Sequence, residues 1–150
     1  MTAPRSLFST FSADPELERD GVVLDFGDFR FRVARAGGSN KRFQSAVRRI
    51  LDPHKRAIDL EVLADEKSRE LVAECFAEAV ILGWESKFVE DGKDIWKPIV
   101  IGKDGREIEF SKQNCKELLI SLPDLFDTLR AEATKLANFN TARRESAAQD

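Results

Sequence analysis

The chain has little of what most active centres are built from. Its 150 residues include one histidine and two cysteines. A zinc site needs at least three suitable ligands, and His54 with the distant Cys75 and Cys115 does not supply an obvious set. There is no CxxC pair, and both cysteines fall in predicted helices among apolar neighbours. They are read as reduced core residues. Triad or Cys-His chemistry would have to centre on His54, which sits between Pro53 and Lys55 at a predicted helix junction. A surface role is its default. No apolar run reaches membrane length, and no early segment carries the apolar stretch of a secretory signal. A cytoplasmic protein is therefore expected. No internal repeat and no low-complexity tract appears. A net charge of −3 and a pI near 5.4 give no general case for nucleic-acid or membrane partners.

What is present suits one compact domain, since 42% of the residues are hydrophobic. Residues 1–15 are expected to be a flexible N-terminus, 16–139 a single domain and 140–150 a flexible tail. The clearest local signal is "GVVLDFGDFRFRVARA". Gly27-Asp28 lies between two alternating runs and suits a two-residue turn with glycine first. That turn faces Phe26 with Phe29, Leu24 with Phe31 and Val22 with Val33, all on one face. These residues are expected to be buried together under helices. Asp25 then opposes Arg30, and Val23 opposes Arg32.

Gly37-Gly38 follows the second strand. The spacing matches neither a Walker loop nor a dinucleotide-binding loop, so it reads as a strand-to-helix connection, with Ser39 as the expected helix cap. Phe43, Ala46, Val47, Ile50 and Leu51 then follow helical spacing, with Lys41, Arg42, Arg48 and Arg49 off that stripe. Asp52-Pro53 should end or kink this helix, and a shorter helical piece follows. "ADEKSRELVAECFAEAVILGW" predicts a long helix capped by Asp65 and stopped at Gly83, burying Leu71, Val72, Cys75, Phe76, Ala79 and Val80. "FVEDGKD" reads as a polar loop, with Trp96 beside it as the aromatic expected to be exposed. A second hairpin near 99–110, turning at Asp104-Gly105, would pair Ile101 with Ile108 and Ile99 with Phe110. Ser111 caps a further helix, and Pro123 opens the last one.

The fold class implied is α+β, an N-terminal antiparallel hairpin packed on a bundle of about four helices. Charge is split along it. Residues 39–56 hold six bases and one acid, and 61–94 hold ten acids and four bases. If these faces belong to adjacent helices they neutralise one another. If they point apart they would drive a head-to-tail homo-oligomer that weakens with salt.

Three stretches, in order, resemble the tail assembly chaperones of long-tailed, siphovirus-type bacteriophages. They are "DGVVLDFGDFRFRVARAGGSNKRF", "FAEAVILGWE" and "DGREIEFSKQNCKELLISLPDLFDTLRAEATKLANF". The shared signatures are Ala-Gly-Gly-x-Asn, a helix ending in Leu-Gly-Trp-Glu, and Asp-Gly-x-x-x-x-Phe-Ser before the last helices. The chain departs from that pattern between Trp84 and Asp104, where it carries extra residues. The resemblance implies a non-enzymatic factor without catalytic residues, metal or cofactor. It would bind the tape measure protein, with the tail tube protein as a further partner, in the host cytoplasm, and be absent from the mature virion. A frameshifted longer form near the C-terminus is also implied. Partner contacts are assigned to Lys41, Arg42, Arg48, Arg49, Trp96 and Phe139. The alternatives are a structural tail component, or a small nucleic-acid-binding regulator using the basic residues together with Lys55 and Arg56. Nucleic acid is disfavoured, because no aromatics interleave with these bases.

Overall fold

The structure, a computed structural model, describes residues 2–140. Two short helices, α1 (Leu7–Phe11) and α2 (Pro15–Asp20), lead into β1 (Val22–Asp25) and β2 (Phe29–Val33). Helices α3 (Lys41–Ile50), α4 (Lys55–Asp59) and α5 (Asp65–Ala79) follow. Then come β3 (Ile81–Glu90), β4 (Lys93–Lys97), β5 (Ile99–Ile101) and β6 (Glu107–Glu109), and finally α6 (Lys112–Ser121) and α7 (Pro123–Thr134). The class is α+β. The first hairpin is one half of a four-stranded antiparallel sheet ordered β1-β2-β3-β4, and β5-β6 form a separate ribbon.

The first hairpin has the register its turn dictates. Val22 faces Val33, Leu24 faces Phe31, and Asp25 faces Arg30. Gly27 takes the positive φ that the turn requires. Burial is narrower than expected. Leu24 and Phe31 are buried, but Phe26 and Phe29 are 39% and 37% exposed. They share the face, with rings 5.3 Å apart, yet lie at the hairpin tip where no helix covers them.

Helix α5 is the centre of the molecule. Leu71, Cys75 and Ala79, four residues apart, pack on Ala46 and Ile50 of α3. Ala73, Phe76 and Ala77 join the sheet residues Phe31, Ile81 and Trp84 and the α7 residues Phe126 and Leu129 in the larger core. One helix thus buries two stripes rather than the single stripe read from the sequence. It begins with Asp65 inside it and Ala64 as cap, and it ends at Ala79, not at Gly83. Ile81 to Ser86 pair with β2 instead. That pairing satisfies backbone groups which a longer helix would have satisfied internally. Trp84 is buried, and its Nε1–H donates to the Ile108 carbonyl at 3.0 Å.

The expected polar loop is also a strand connection. Asp91 and Gly92 both take positive φ and join β3 to β4, as an Asp-Gly turn does. The ribbon pairs Ile99 with Glu109, Val100 with Ile108 and Ile101 with Glu107. That is one residue off the expected register. The turn is longer, with the Gly102 N–H on the Arg106 carbonyl at 2.7 Å and Gly105 at positive φ.

The Gly37-Gly38 connection does cradle an anion, but one belonging to the chain. The Ser39 N–H and hydroxyl both donate to the Glu18 carboxylate, at 3.3 and 2.7 Å. Arg35 pairs with the same carboxylate at 2.6 Å. Ser39 therefore does not cap α3. Asn40 does, accepting from the Phe43 N–H, while its amide donates to the carbonyls of Arg35 and Ala79. At the far end, Asn140 is buried and bridges to Ala13. The remainder of the expected flexible tail lies outside the described residues.

Candidate functional site

The basic residues of α3 lie on its exposed side, because its apolar stripe is fixed against α5. Lys41, Arg42 and Arg49 join Lys112 and Glu78 around an open cavity of about 340 Å³. Arg49 pairs with Glu78, and Arg42 donates to the Glu78 carbonyl at 3.4 Å. The Arg49 hydrogen bond outweighs partial burial and holds the Glu78 carboxyl below its ordinary 4.5, helped by the charges of Arg49, Lys112 and Arg42. Arg48 is exposed and is not among the residues around this cavity. Packing α3 on α5 thus brings Arg42 and Arg49 of the basic segment onto Glu78 of the acidic one. Glu70 and Glu74 face Lys116 at 3.6 and 3.8 Å. Lys116 belongs to α6, so the ion pair that joins the two segments is that of Arg49 with Glu78.

Trp96 and Phe139 fall elsewhere than expected. Trp96 is half-buried, because the Arg30 guanidinium lies 3.5 Å from its ring centroid while also pairing with Glu85 at 2.5 Å. Phe139 is completely buried. After α7 the chain turns through residues 136–138, which folds the ring into the core. The Phe139 carbonyl then accepts the Asp14 N–H at 2.7 Å. Phe139 therefore offers no surface to a partner.

One partly uncovered apolar surface lies on the sheet. Phe31, Phe29 and Phe26 share one face with Trp84, Ser86 and Phe88 of β3, as the pairing of Phe31 with Trp84 and Phe29 with Ser86 requires. Exposure rises along it, from 2% at Phe31 to 37% at Phe29 and 39% at Phe26. Phe88 is half-buried with Ile95 opposite it, and the Lys97 ammonium lies 4.6 Å from its ring centroid. The result is an aromatic step at one end of the sheet, with the Lys97 ammonium against its Phe88 ring. The residues were visible in the sequence, but nothing in it showed where the helical cover would stop.

Both thiols are buried. Burial pushes Cys75 up to about 11 and Cys115 up to about 12. Neither is expected to react with a thiol reagent at pH 8 until the chain unfolds, and a fast-reacting thiol in the native protein would contradict this packing. Among the described residues, no group of three or more His, Cys, Asp and Glu side chains is placed to hold a metal ion. None of the described helices is long and apolar enough to cross a membrane.

The sequence profile of the YdaY prophage protein family matches residues 38–150, which takes in α3, α5, both later hairpins and the closing helices. The chain belongs to that family and is phage-derived. No curated protein and no solved structure matches it significantly.

Proposed function

We propose that this prophage protein is a non-enzymatic tail assembly chaperone. It binds the tape measure protein in the host cytoplasm during tail tube assembly and is absent from the finished virion. The observation that carries this reading is the aromatic step of Phe26, Phe29 and Phe88, continuous with the buried Phe31 and Trp84 but left partly open at the end of the sheet. An amphipathic helix of a long helical client can lay its apolar face along such a step. The Lys97 ammonium over Phe88 and the partial burial of each ring limit the apolar area open to aggregation. The resemblance in the first hairpin and the closing helices supports the same reading.

The test is co-expression with the tape measure protein of the same prophage, followed by affinity capture. A double substitution, Phe26→Asp with Phe29→Asp, is expected to lower capture at least tenfold while leaving the fold intact by circular dichroism. Undiminished capture would remove the aromatic step from the client site. The chain present at fixed stoichiometry in purified virions would make it a structural component instead.

The cavity bounded by Lys41, Arg42, Arg49 and Lys112 favours a second reading, a small nucleic-acid-binding regulator that also uses Arg48, Lys55 and Arg56. Arg49 is paired with Glu78, which counts against it. Under the chaperone reading, duplex DNA is expected to show no salt-dependent shift at micromolar protein. A shift weakening steeply with salt would favour the regulator.

A further inference from the structure

The cavity beside α3 is one half of a longer trough. A second cavity, also of about 340 Å³, adjoins it across Arg42, Glu78 and Lys112. The two halves differ in chemistry. Lining the first are four bases, Lys41, Arg42, Arg49 and Lys112, against the single acid Glu78, a local charge of +3. Arg49 takes up the Glu78 carboxylate, and Arg42 is held at the Glu78 carbonyl. Lys41 and Lys112 are exposed, and neither has an ion pair among the described residues. Glu74, one turn back along α5, faces Lys116 instead. The second half is apolar at its floor, with Ile81 buried and Leu82 and Phe110 half-buried. Arg19 and Asp20 at its rim pair with each other at 3.0 Å.

The excess positive charge does not serve the fold. Lys41 and Arg42 begin α3 and Lys112 begins α6, with no acid in the first turn of either helix. A cation there faces the positive end of the helix dipole, which disfavours it. Three bases thus sit where they cost stability, around one carboxylate that is already paired.

We propose that the trough docks an acidic segment of a partner protein, with carboxylates at Lys41 and Lys112 and an apolar side chain beside them against Leu82 and Phe110. Charge complementarity selects the carboxylates. The apolar half selects protein over other polyanions, since a nucleic-acid backbone has nothing to place against Leu82 and Phe110. The chain as a whole carries −3, which also repels a long polyanion. Glu78 keeps the Arg49 guanidinium on the wall of the trough, so less side-chain freedom is lost on docking. The trough shares no residue with the aromatic step, and this inference does not rest on the client reading.

Fluorescence anisotropy on the full chain tests it, with a labelled helical peptide that carries glutamates beside a leucine stripe. Micromolar binding that weakens with salt is expected. Lys41→Gln with Lys112→Gln is expected to weaken it about tenfold, as the loss of two exposed ion pairs does. Arg48→Gln with Lys55→Gln removes the same net charge outside the trough and is expected to leave binding nearly unchanged. All four side chains are exposed, so circular dichroism should show both double variants folded. A peptide with serines in place of the leucines is expected to bind much more weakly. No binding of the leucine peptide to the wild-type chain would overturn the proposal. Equal weakening by the two double variants would do so as well, by reducing the effect to diffuse charge. So would a serine peptide that binds as tightly, because the apolar half would then be idle. Duplex DNA bound more tightly than the peptide, and lost in the Lys41 and Lys112 variant, would assign the trough to nucleic acid instead.

Discussion

Replacing Phe31 with Ala is expected to lower the unfolding free energy by about 3–5 kcal/mol, the range for a buried phenylalanine. Phe31 is 2% exposed and sits mid-strand between Leu24 and Trp84. Its ring meets those of Trp84, Phe26 and Phe29 edge to face, each with centroids 6.0 Å apart. The core cannot close on the space, because β1 and β3 hold their spacing through backbone hydrogen bonds on either side. Phe29→Ala, two residues away on the same face, is the control. Phe29 is already 37% exposed, so its loss should cost roughly 1–2 kcal/mol. Urea unfolding with an unchanged slope would measure both. Equal costs for the two would mean that the helical cover does not end between them, and the aromatic step would lose its basis as a docking surface.

The contrast between these two phenylalanines marks how far local sequence carries. Turn chemistry gave the first hairpin residue by residue, because a two-residue turn leaves one register. The Asp91-Gly92 turn was written just as plainly, flanked by strand-forming Phe88, Val89, Ile95 and Trp96. Its polar residues "EDGKD" hid it. The end of α5 was hidden for another reason. Val80 continues the helical stripe, and Gly83 imitates a helix stop. Only pairing of Ile81 and Trp84 with β2 decides for a strand, and that partner lies some fifty residues earlier. The β5-β6 register slipped by one because Asp104-Gly105 fits a two-residue turn as well as the longer one adopted. In the candidate site, the basic face of α3 followed from periodicity alone. The burial of Phe139 did not, since it depends on where the chain turns after α7. The cover that stops short of Phe29 likewise depends on packing between distant elements.

Glu18 had no signal in the sequence at all, and its removal is the second large effect expected. In "PELERD" it looks like any helix-surface acid, but the fold buries it, 2% exposed, with Arg35 and Ser39 as partners 17 and 21 residues away. Glu18→Ala leaves the partly buried Arg35 guanidinium without its carboxylate and frees the Gly37-Gly38 connection. A cost of about 2–4 kcal/mol is expected, as for other broken buried pairs. The pH dependence has a definite sign. Burial alone would raise the Glu18 carboxyl, but hydrogen bonds from Ser39 and Arg35 outweigh it and hold the group below its ordinary 4.5. A lowered folded value means the contribution is fully present above about pH 4.5 and is lost as pH falls through the folded value. Glu18→Gln should therefore flatten that acid limb while lowering stability at neutral pH. Gly38 supplies the structural check. It has φ +54°, and a Cβ there would overlap the Glu18 carboxylate and lie 3.0 Å from Arg35 Cδ. Gly38→Ala is expected to destabilise by steric conflict as well as by backbone strain of about 1–2 kcal/mol. In the Glu18→Ala background the overlap with the carboxylate is gone, while the Arg35 contact and the strain remain. Gly38→Ala should then cost less than it does in the wild-type chain, a coupling measurable by a double-mutant cycle. Additive costs would show that the carboxylate does not occupy the turn, and the network of Glu18, Arg35 and Ser39 would not be what holds α3 to β2.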